Sequence, residues 1–163
     1  RFRNVTGVQT CALPILMAKW APTHGASKTV QTLCGRIINA QTDEIALMQG
    51  WLRDRNQPVP DPNAAGMTME MNGMTHMMLM PGMLTEEQMQ QLDAARGVEF
   101  DRLFLTFMIQ HHKGAVTMVD ELFTKDGAAQ DETVFKFAND VHVDQTTEIN
   151  RMVSLLFQLG AMP

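Results

Sequence analysis

The sequence lacks several features that mark common protein classes. It has no tyrosine and only two cysteines, Cys11 and Cys34, among 163 residues, so it cannot form the disulfide framework of a small secreted domain. No apolar run approaches the ~18 residues that a membrane span needs, and we expect no span in this chain. The net charge is −5. Because this leaves no basic excess for phosphate contacts, we expect no nucleic-acid partner.

The composition otherwise fits one folded domain, with one unusual number. Hydrophobic residues make up 45% and charged residues 19% of the chain, which suits a single soluble domain with a core. The chain also contains fifteen methionines, although methionine is not among the common residues of globular domains. This excess requires an explanation in packing or in chemistry.

The first residues resemble a cloning artefact rather than native protein sequence. The run VTGVQTCALPI, from Val5 to Ile15, is similar to the in-frame translation of a common sequencing-library adapter. We therefore expect residues 1–15 to be adapter-derived and exclude them from fold predictions. Cys11 lies in this run and is expected not to be native. We therefore expect the native N-terminus to be missing, so this sequence does not show whether the protein has a signal peptide.

Start and stop signals predict helices along most of the remaining chain. Ser27 and Asp131 are candidate N-caps, and Thr85 with Gln88 forms a capping box. Helices are predicted to follow Ser27 to about Arg55, to follow Thr85 to about Gly97, to run from about Val98 to Phe123, and to follow Asp131 to about Gln158. Asn56 to Leu84 lacks helical periodicity and is interpreted as a linker, and no strand pattern is expected.

Apolar positions in the predicted helices recur at alternating steps of three and four. One such series is Phe104, Met108, His111, Ala115, Met118 and Leu122. Similar series run from Ile37 to Trp51 and from Val141 to Leu159. This spacing places each series on one helix face, as in the seam of an antiparallel bundle. We therefore predict an all-α antiparallel helical bundle.

An internal repeat indicates that the bundle is built from paired αα-hairpins. Residues 28–52 align without gaps to residues 132–156, at an offset of 104. The identical pairs include Gln41 and Gln145, Glu44 and Glu148, and Met48 and Met152. At the same offset the partners of His111 and His112 fall inside residues 1–15, so we expect the first helix of the first hairpin to be missing.

The predicted organisation therefore has four parts. Residues 1–15 are the expected artefact, residues 16–56 the second helix of the first hairpin, residues 57–84 a methionine-rich linker, and residues 85–163 the second hairpin.

The helix with the histidine pair carries the pattern D-x-x-F-x-x-x-M-I-x-H-H-x-x-A-V-x-M, from Asp101 to Met118. Together with Gln145 and Glu148 downstream, this pattern resembles the DUF305 family over Leu16 to Ala161. The family consists mostly of bacterial helical proteins described as ferritin-like, and some are implicated in copper binding outside the cytoplasm. The resemblance implies a ferritin-like bundle and carries over the family residues Asp101, Met108, His111, His112, Met118, Gln145, Glu148 and Met152.

The histidine pair is a candidate metal site. Met108, His111 and His112 stand at positions i, i+3 and i+4, so their side chains are expected to converge near one helix face. A thioether beside imidazoles suits Cu(I), and binding should weaken as the imidazoles protonate. The predicted ligands here are Met108, His111, His112 and Met118, and the predicted supporting residues are Asp101, Gln145, Glu148 and Met152. The alternative is a buried polar network in which the histidines only fix helix register.

The linker is the second candidate metal site. Residues 67–83 hold eight methionines and one histidine, and their close spacings would let two or three thioethers reach one ion without fixed secondary structure. Such sites favour Cu(I) or Ag(I) over hard cations. The predicted ligands are Met67, Met69, Met71, Met74, His76, Met77, Met78, Met80 and Met83. The alternative is a flexible hydrophobic lid, because methionine makes adaptable contacts.

We predict from these patterns a protein that binds or buffers a soft metal, Cu(I) above all, in the bacterial envelope, either periplasmic or secreted. No enzymatic activity is expected, since no glutamate has a histidine three residues on, as a di-iron centre of ferritin-like proteins needs. The alternative is a non-enzymatic helical interaction module with a structural histidine pair and a methionine-rich, partner-binding lid. The sequence also allows a protein partner or a homo-oligomer.

Overall fold

Helices account for most of the chain in the computed structural model. The structure describes residues 11–59, 61 and 80–160, together with the backbone of 67–71 and 74–78. The helices are α1 (Leu13–Trp20), α2 (Lys28–Asp54), α3 (Glu86–Ala94), α4 (Gly97–Phe123) and α5 (Glu132–Gln158). The all-α prediction is confirmed. Across these described ranges, no helix is both long and apolar enough to cross a membrane.

The predicted helix caps are present. The Ser27 hydroxyl accepts a hydrogen bond from the backbone N–H of Val30, and the Asp131 carboxylate accepts from two N–H groups in the first turn of α5. Thr85 and Gln88 form the reciprocal capping box of α3. These side chains satisfy backbone donors that have no partner inside the helix, so local sequence alone determines where these helices begin.

A short antiparallel hairpin between α2 and α3 differs from the expected linker. Its strands are β1 (Met67–Met71) and β2 (Met74–Met78), and their register sets Met71 opposite Met74. Methionines at every second position follow the period of a strand. In the sequence, Asn72 and Gly73 between the strands form a two-residue hairpin-turn signal. The absence of helical periodicity predicted a linker without strands here; that prediction is wrong, because the methionines at every second position form two paired strands.

Two polar contacts hold α2 against α4 and α5. At one end, the Asp101 carboxylate on α4 accepts the backbone N–H of Ser27 at 3.1 and 3.2 Å. At the other end, the Asp131 carboxylate accepts from the Arg55 guanidinium at 2.7 Å and from the Trp51 indole at 3.3 Å. Helix α2 therefore runs parallel to α4 and antiparallel to α5.

In the part of the chain that the structure describes, the core contains two large hydrophobic clusters with polar residues between them, and a small third cluster at Ala115 and Met118. One cluster surrounds Leu33 and Phe104, and the other surrounds Trp51, Leu122 and Phe137. The side chains between these clusters, halfway along α2, α4 and α5, are Gln41, Glu44, His111, His112, Gln145 and Glu148. We call these six residues the polar layer.

The Asp101 contact predicts a measurable loss of stability. Asp101→Ala should lower the free energy of unfolding by about 1–3 kcal/mol, because the Ser27 N–H loses its acceptor. Asp101→Asn should cost less, since its amide oxygen still accepts a hydrogen bond. Glu99→Ala removes an exposed carboxylate from the same helix and is the control. Urea denaturation measures all three variants, and equal effects of Asp101→Ala and Glu99→Ala would contradict this account.

Candidate functional site

The two histidines of the pair face different surroundings. They are adjacent on α4, so they point about 100° apart around the helix, and their ring centroids lie 6.4 Å apart in an edge-on arrangement. His111 lines a small cavity, whereas His112 contacts Glu148 on α5. The pair therefore divides into two sites with different chemistry.

The His111 cavity is rich in sulfur. Three thioethers, one thiol and one imidazole contribute to its wall, and its full lining is Cys11, Met80, Pro81, Met83, His111, Ala115 and Met118. The enclosed space is about 10 Å³, close to the minimum for a single water molecule. A cavity of this size suits one ion rather than an organic ligand.

The imidazole of His111 is held in the form that binds metals. Its Nδ1 atom is buried without a hydrogen-bond partner among the described residues. Burial lowers the pKa of His111 to about 4; the neighbouring His112 acts in the same direction, and a backbone hydrogen bond with Gly82 opposes it. The ring is therefore neutral above about pH 5, and a neutral ring nitrogen is a metal ligand.

Two glycines bring Met80 and Met83 to this cavity. The chain at Pro81 and Gly82 crosses α4 at Gly114, where a Cβ atom would lie 2.1 Å from the Pro81 carbonyl oxygen and 2.5 Å from the Gly82 Cα. Gly82 also has a φ of +78°, in the left-handed region that favours glycine. Only a residue without a side chain allows this approach, so Gly114 positions the two thioethers above His111.

Cys11 also lines the cavity, although its position in the adapter-like run predicts that it is not a native residue. Its Sγ atom lies 3.7 Å from the Sδ of Met83, and the side chain is buried. Burial raises the pKa of the Cys11 thiol. The protonated thiol is a weak ligand, because the thiolate is the form that binds metals.

His112 is held by a carboxylate. Its Nε2 atom lies 2.6 Å from the Oε2 atom of Glu148, and the histidine side chain is fully buried. Its Nδ1 atom, like that of His111, has no hydrogen-bond partner among the described residues. Breaking a buried pair of this kind leaves one polar group without a partner, which is strongly destabilising. The geometry thus gives His112 a role in joining α4 to α5.

Glu44 is the repeat counterpart of Glu148, but its surroundings differ. Its Oε2 atom is buried without a hydrogen-bond partner among the described residues. Burial raises the pKa of Glu44 to about 7, and the negative charges of Glu148 and Asp144 act in the same direction. Sequence reasoning identified Glu44 through the repeat but could not foresee a carboxyl group that stays protonated near neutral pH.

The structure brings together only some of the predicted site residues. His111, Met118, Met80 and Met83 share one cavity, but Met108 lies in a hydrophobic cluster with Met152. Asp101 was predicted to support the histidines; it lies ten residues before His111 on α4, about 15 Å along the axis, where its carboxylate accepts the Ser27 N–H.

The remaining predicted ligands lie in the β1–β2 hairpin, where the structure describes backbone only. Their side chains fall outside the described residues: Met67, Met69, Met71, Met74, His76, Met77 and Met78. Within the described part of the chain, no group of three or more His, Cys, Asp or Glu side chains is placed to hold a metal.

Comparisons with known proteins agree on one fold. The chain matches the family model described as a domain of unknown function (DUF305) over residues 12–156. It is similar in structure to a DUF305 protein from Streptomyces coelicolor, with a TM-score of 0.77 and 23% identity over 99% of this chain and 93% of that one. No relative is found among curated proteins.

The chain is also similar to a protein solved with metals. CopM in the Cu(I)-bound form has a TM-score of 0.67 and 25% identity, over 94% of this chain and 91% of CopM. CopM in the Ag-bound form has a TM-score of 0.65 and 25% identity, over 96% of this chain and 93% of CopM.

The glycine contact predicts that Gly114→Ala displaces the segment that carries Met80 and Met83. The added Cβ would overlap backbone rather than a flexible side chain, so the free energy of unfolding should fall by about 1–3 kcal/mol. Gly35→Ala is the control, because a Cβ there meets nothing within 4 Å, and it should stabilise α2 slightly. The methyl NMR resonances of Met80 and Met83 should shift in the first variant only. Unshifted resonances in Gly114→Ala would contradict this account.

The buried carboxyl group predicts a pH-dependent gain in stability for Glu44→Gln. The folded pKa of about 7 lies above the ordinary value of 4.5, so the folded state keeps a proton that the unfolded state releases. Stability is therefore lost as pH rises from 4.5 through 7. Glutamine cannot ionise, so the variant should be more stable than the parent at pH 8, by on the order of 3 kcal/mol, and nearly equal at pH 4.

Urea denaturation across pH tests this prediction. His111 acts in the opposite direction: its pKa of about 4 lies below the ordinary 6.5, so stability is lost as pH falls from 6.5 through 4. His111 contributes equally to the parent and to Glu44→Gln, so its effect cancels when their free energies of unfolding are subtracted. Asp43→Asn, which changes an exposed carboxylate on the same helix, is the control. A pH-independent effect of Glu44→Gln would show that the carboxyl group is not protonated in the folded state.

Proposed function

Because the chain belongs to the DUF305 family, we propose that it binds or buffers a soft metal ion, Cu(I), in the bacterial envelope. The observation that carries this proposal is the His111 cavity, a space the size of one ion that is lined by His111 and three thioethers, together with the Nδ1 atom of His111, which is buried without a partner among the described residues. The proposed ligands are His111 through Nδ1 and the sulfur atoms of Met80, Met83 and Met118.

The donor set fits Cu(I) better than harder ions. Thioethers are soft ligands that select Cu(I), and imidazole accepts it as well, whereas carboxylates and carbonyls suit magnesium, calcium or manganese. None of the four ligands has to lose a proton above about pH 5, because the pKa of His111 is lowered to about 4. Binding should therefore persist in mildly acidic surroundings.

Similarity to CopM supports the metal class. CopM has been solved in Cu(I)-bound, Cu(II)-bound and Ag-bound forms, at 25% identity to this chain. Thioether ligands also resist the oxidising conditions in which thiols are lost, which favours a periplasmic or secreted location. The proposal includes no catalytic step.

The ligand set proposed from the geometry differs from the set predicted from helix spacing. His112 is paired with Glu148 at 2.6 Å, and Met108 is packed in a hydrophobic cluster. Both are assigned structural roles. Met80 and Met83 replace them, because the chain crossing at Gly114 brings these residues to the cavity.

Anaerobic Cu(I) titration of the full chain against a chromophoric chelator tests the proposal. A variant with Met80→Leu, Met83→Leu and Met118→Leu keeps the apolar volume but removes three ligands, so it should bind one Cu(I) fewer per chain. Each ligand lost should cost more than the roughly 10- to 100-fold that loss of an outer hydrogen-bond partner costs. Zn(II) should not compete for this site.

Two variants serve as controls for this titration. Met108→Leu lies outside the cavity, and Cys11→Ala removes the thiol that the proposal leaves out of the ligand set; both should keep the full stoichiometry. If the triple leucine variant also keeps it, the copper site is not in this cavity. The chain would then be better explained as a helical interaction module with a methionine lid.

A further inference from the structure

Met80, Pro81, Gly82 and Met83 form a tight turn that carries two of the proposed ligands. The Met83 N–H donates to the Met80 carbonyl oxygen at 3.0 Å, and Gly82 has a φ of +78°. Proline at the second position and a positive φ at the third are typical of a type II turn, in which the first and fourth Cα atoms lie within about 7 Å of each other. The turn therefore fixes how far apart the Met80 and Met83 side chains begin.

Two glutamines connect this turn to α4 and to α3. Gln110, on α4, donates from its Nε2 atom to the Met83 carbonyl oxygen at 3.1 Å. Its Oε1 atom accepts from the Nε2 atom of Gln88 at 3.0 Å, and a second contact, from Gln110 Nε2 to Gln88 Oε1, is longer at 3.4 Å. The Oε1 atom of Gln88 also accepts the Thr85 N–H at 2.9 Å. A chain of hydrogen bonds thus runs from Met83 to the capping box of α3.

The backbone groups at the two ends of this chain determine which way both amides point. The Met83 carbonyl can only accept a hydrogen bond, and the Thr85 N–H can only donate one. Gln110 therefore turns its NH₂ group to Met83, and Gln88 turns its oxygen to Thr85, which leaves an acceptor on Gln110 facing a donor on Gln88. A carboxylate has no hydrogen to donate, so Gln110→Glu would break the bond to Met83 without changing the shape of the side chain.

We propose that Gln110, supported by Gln88, is a positioning residue of the metal site, which holds the Met83 carbonyl and so keeps the Met83 sulfur at the His111 cavity. This inference rests on the proposed function, because it concerns the geometry of the same ligands. Gln110 is not itself a ligand. It acts through the backbone of Met83, whose N–H is bound to Met80 and whose carbonyl oxygen is bound to Gln110.

The surroundings of the turn favour this role over one that only joins two helices. Pro81 lines both the His111 cavity and an open groove of about 470 Å³, so the turn lies between the two spaces. Gly82 and Gln110 also line the groove. A turn released by Gln110 therefore has room to move into the groove, which would draw the Met83 sulfur away from His111.

Ag(I) titration of the full chain against a competing chelator, followed by NMR of ¹³C-labelled methionine methyl groups, tests the inference. The variants are Gln110→Glu and Gln110→Leu, which removes both hydrogen bonds without adding charge. In the metal-free variants the Met83 resonance should move, whereas that of Met118, on α4 itself, should stay in place. The response of Met118 to Ag(I) should show binding roughly 10- to 100-fold weaker than in the parent, the usual loss for an outer hydrogen-bond partner.

Two further glutamine variants serve as controls. Gln91→Glu adds the same charge at an exposed position of α3 and should change neither the affinity nor the Met83 resonance. Gln88→Glu keeps an acceptor for the Thr85 N–H, and with it the capping box, but it loses the donor to Gln110. It should therefore weaken binding, by a smaller factor than Gln110→Glu does.

The outcomes separate this inference from the proposed function. If the parent responds to Ag(I) and both Gln110 variants bind it with parental affinity, the proposed function stands, and Gln110 only joins α3 to α4. If neither Met83 nor Met118 responds to Ag(I) in the parent, the proposed function fails and this inference fails with it. Far-ultraviolet circular dichroism shows whether each variant folds. Should Gln110→Glu unfold, Gln110→Leu and Gln88→Glu decide the question.

Discussion

The rest of this structure depends on one constraint: polar groups are buried halfway along the helices, and each of them needs a partner. A buried polar group without a partner costs about 1–3 kcal/mol, so each member of the polar layer has to find one or remain a source of instability. His112 finds Glu148 on the facing helix. Four buried atoms of this layer have no partner among the described residues: Nδ1 of His111, Nδ1 of His112, Oε2 of Glu44 and Oε1 of Gln145.

Glu44 and His111 respond to this constraint by staying in their uncharged forms. Glu44 stays protonated to a higher pH than usual, because burial disfavours its charge. His111 stays neutral for the same physical reason, and its free nitrogen is then available as a ligand. A soft metal would satisfy that nitrogen and would bring the neighbouring thioethers into use. One of the groups that cost stability in this bundle, His111, is thus also a ligand of the site that we propose.

Local signals made the helical fold predictable, whereas the candidate site depends on long-range contacts. Ser27, Thr85 and Asp131 cap their helices by bonds to residues two or three positions on, and such bonds can be inferred from sequence. The meeting of Gly82 with Gly114 joins positions far apart in the chain. No local pattern predicts that contact, so helix spacing suggested Met108 where the fold supplies Met80 and Met83. The hairpin, in contrast, has a local signal, because methionines stand at every second position in both strand sequences.

The central claim is that sulfur from methionine and nitrogen from His111 bind copper together. X-ray absorption spectroscopy at the copper edge, on a Cys11→Ala protein loaded anaerobically with Cu(I), tests it directly because the coordination shell separates sulfur from nitrogen and oxygen. Leucine at the hairpin methionines and asparagine at His76 would confine the metal to the bundle. The account predicts a shell of three sulfur atoms with one nitrogen. A shell of nitrogen and oxygen alone would contradict it.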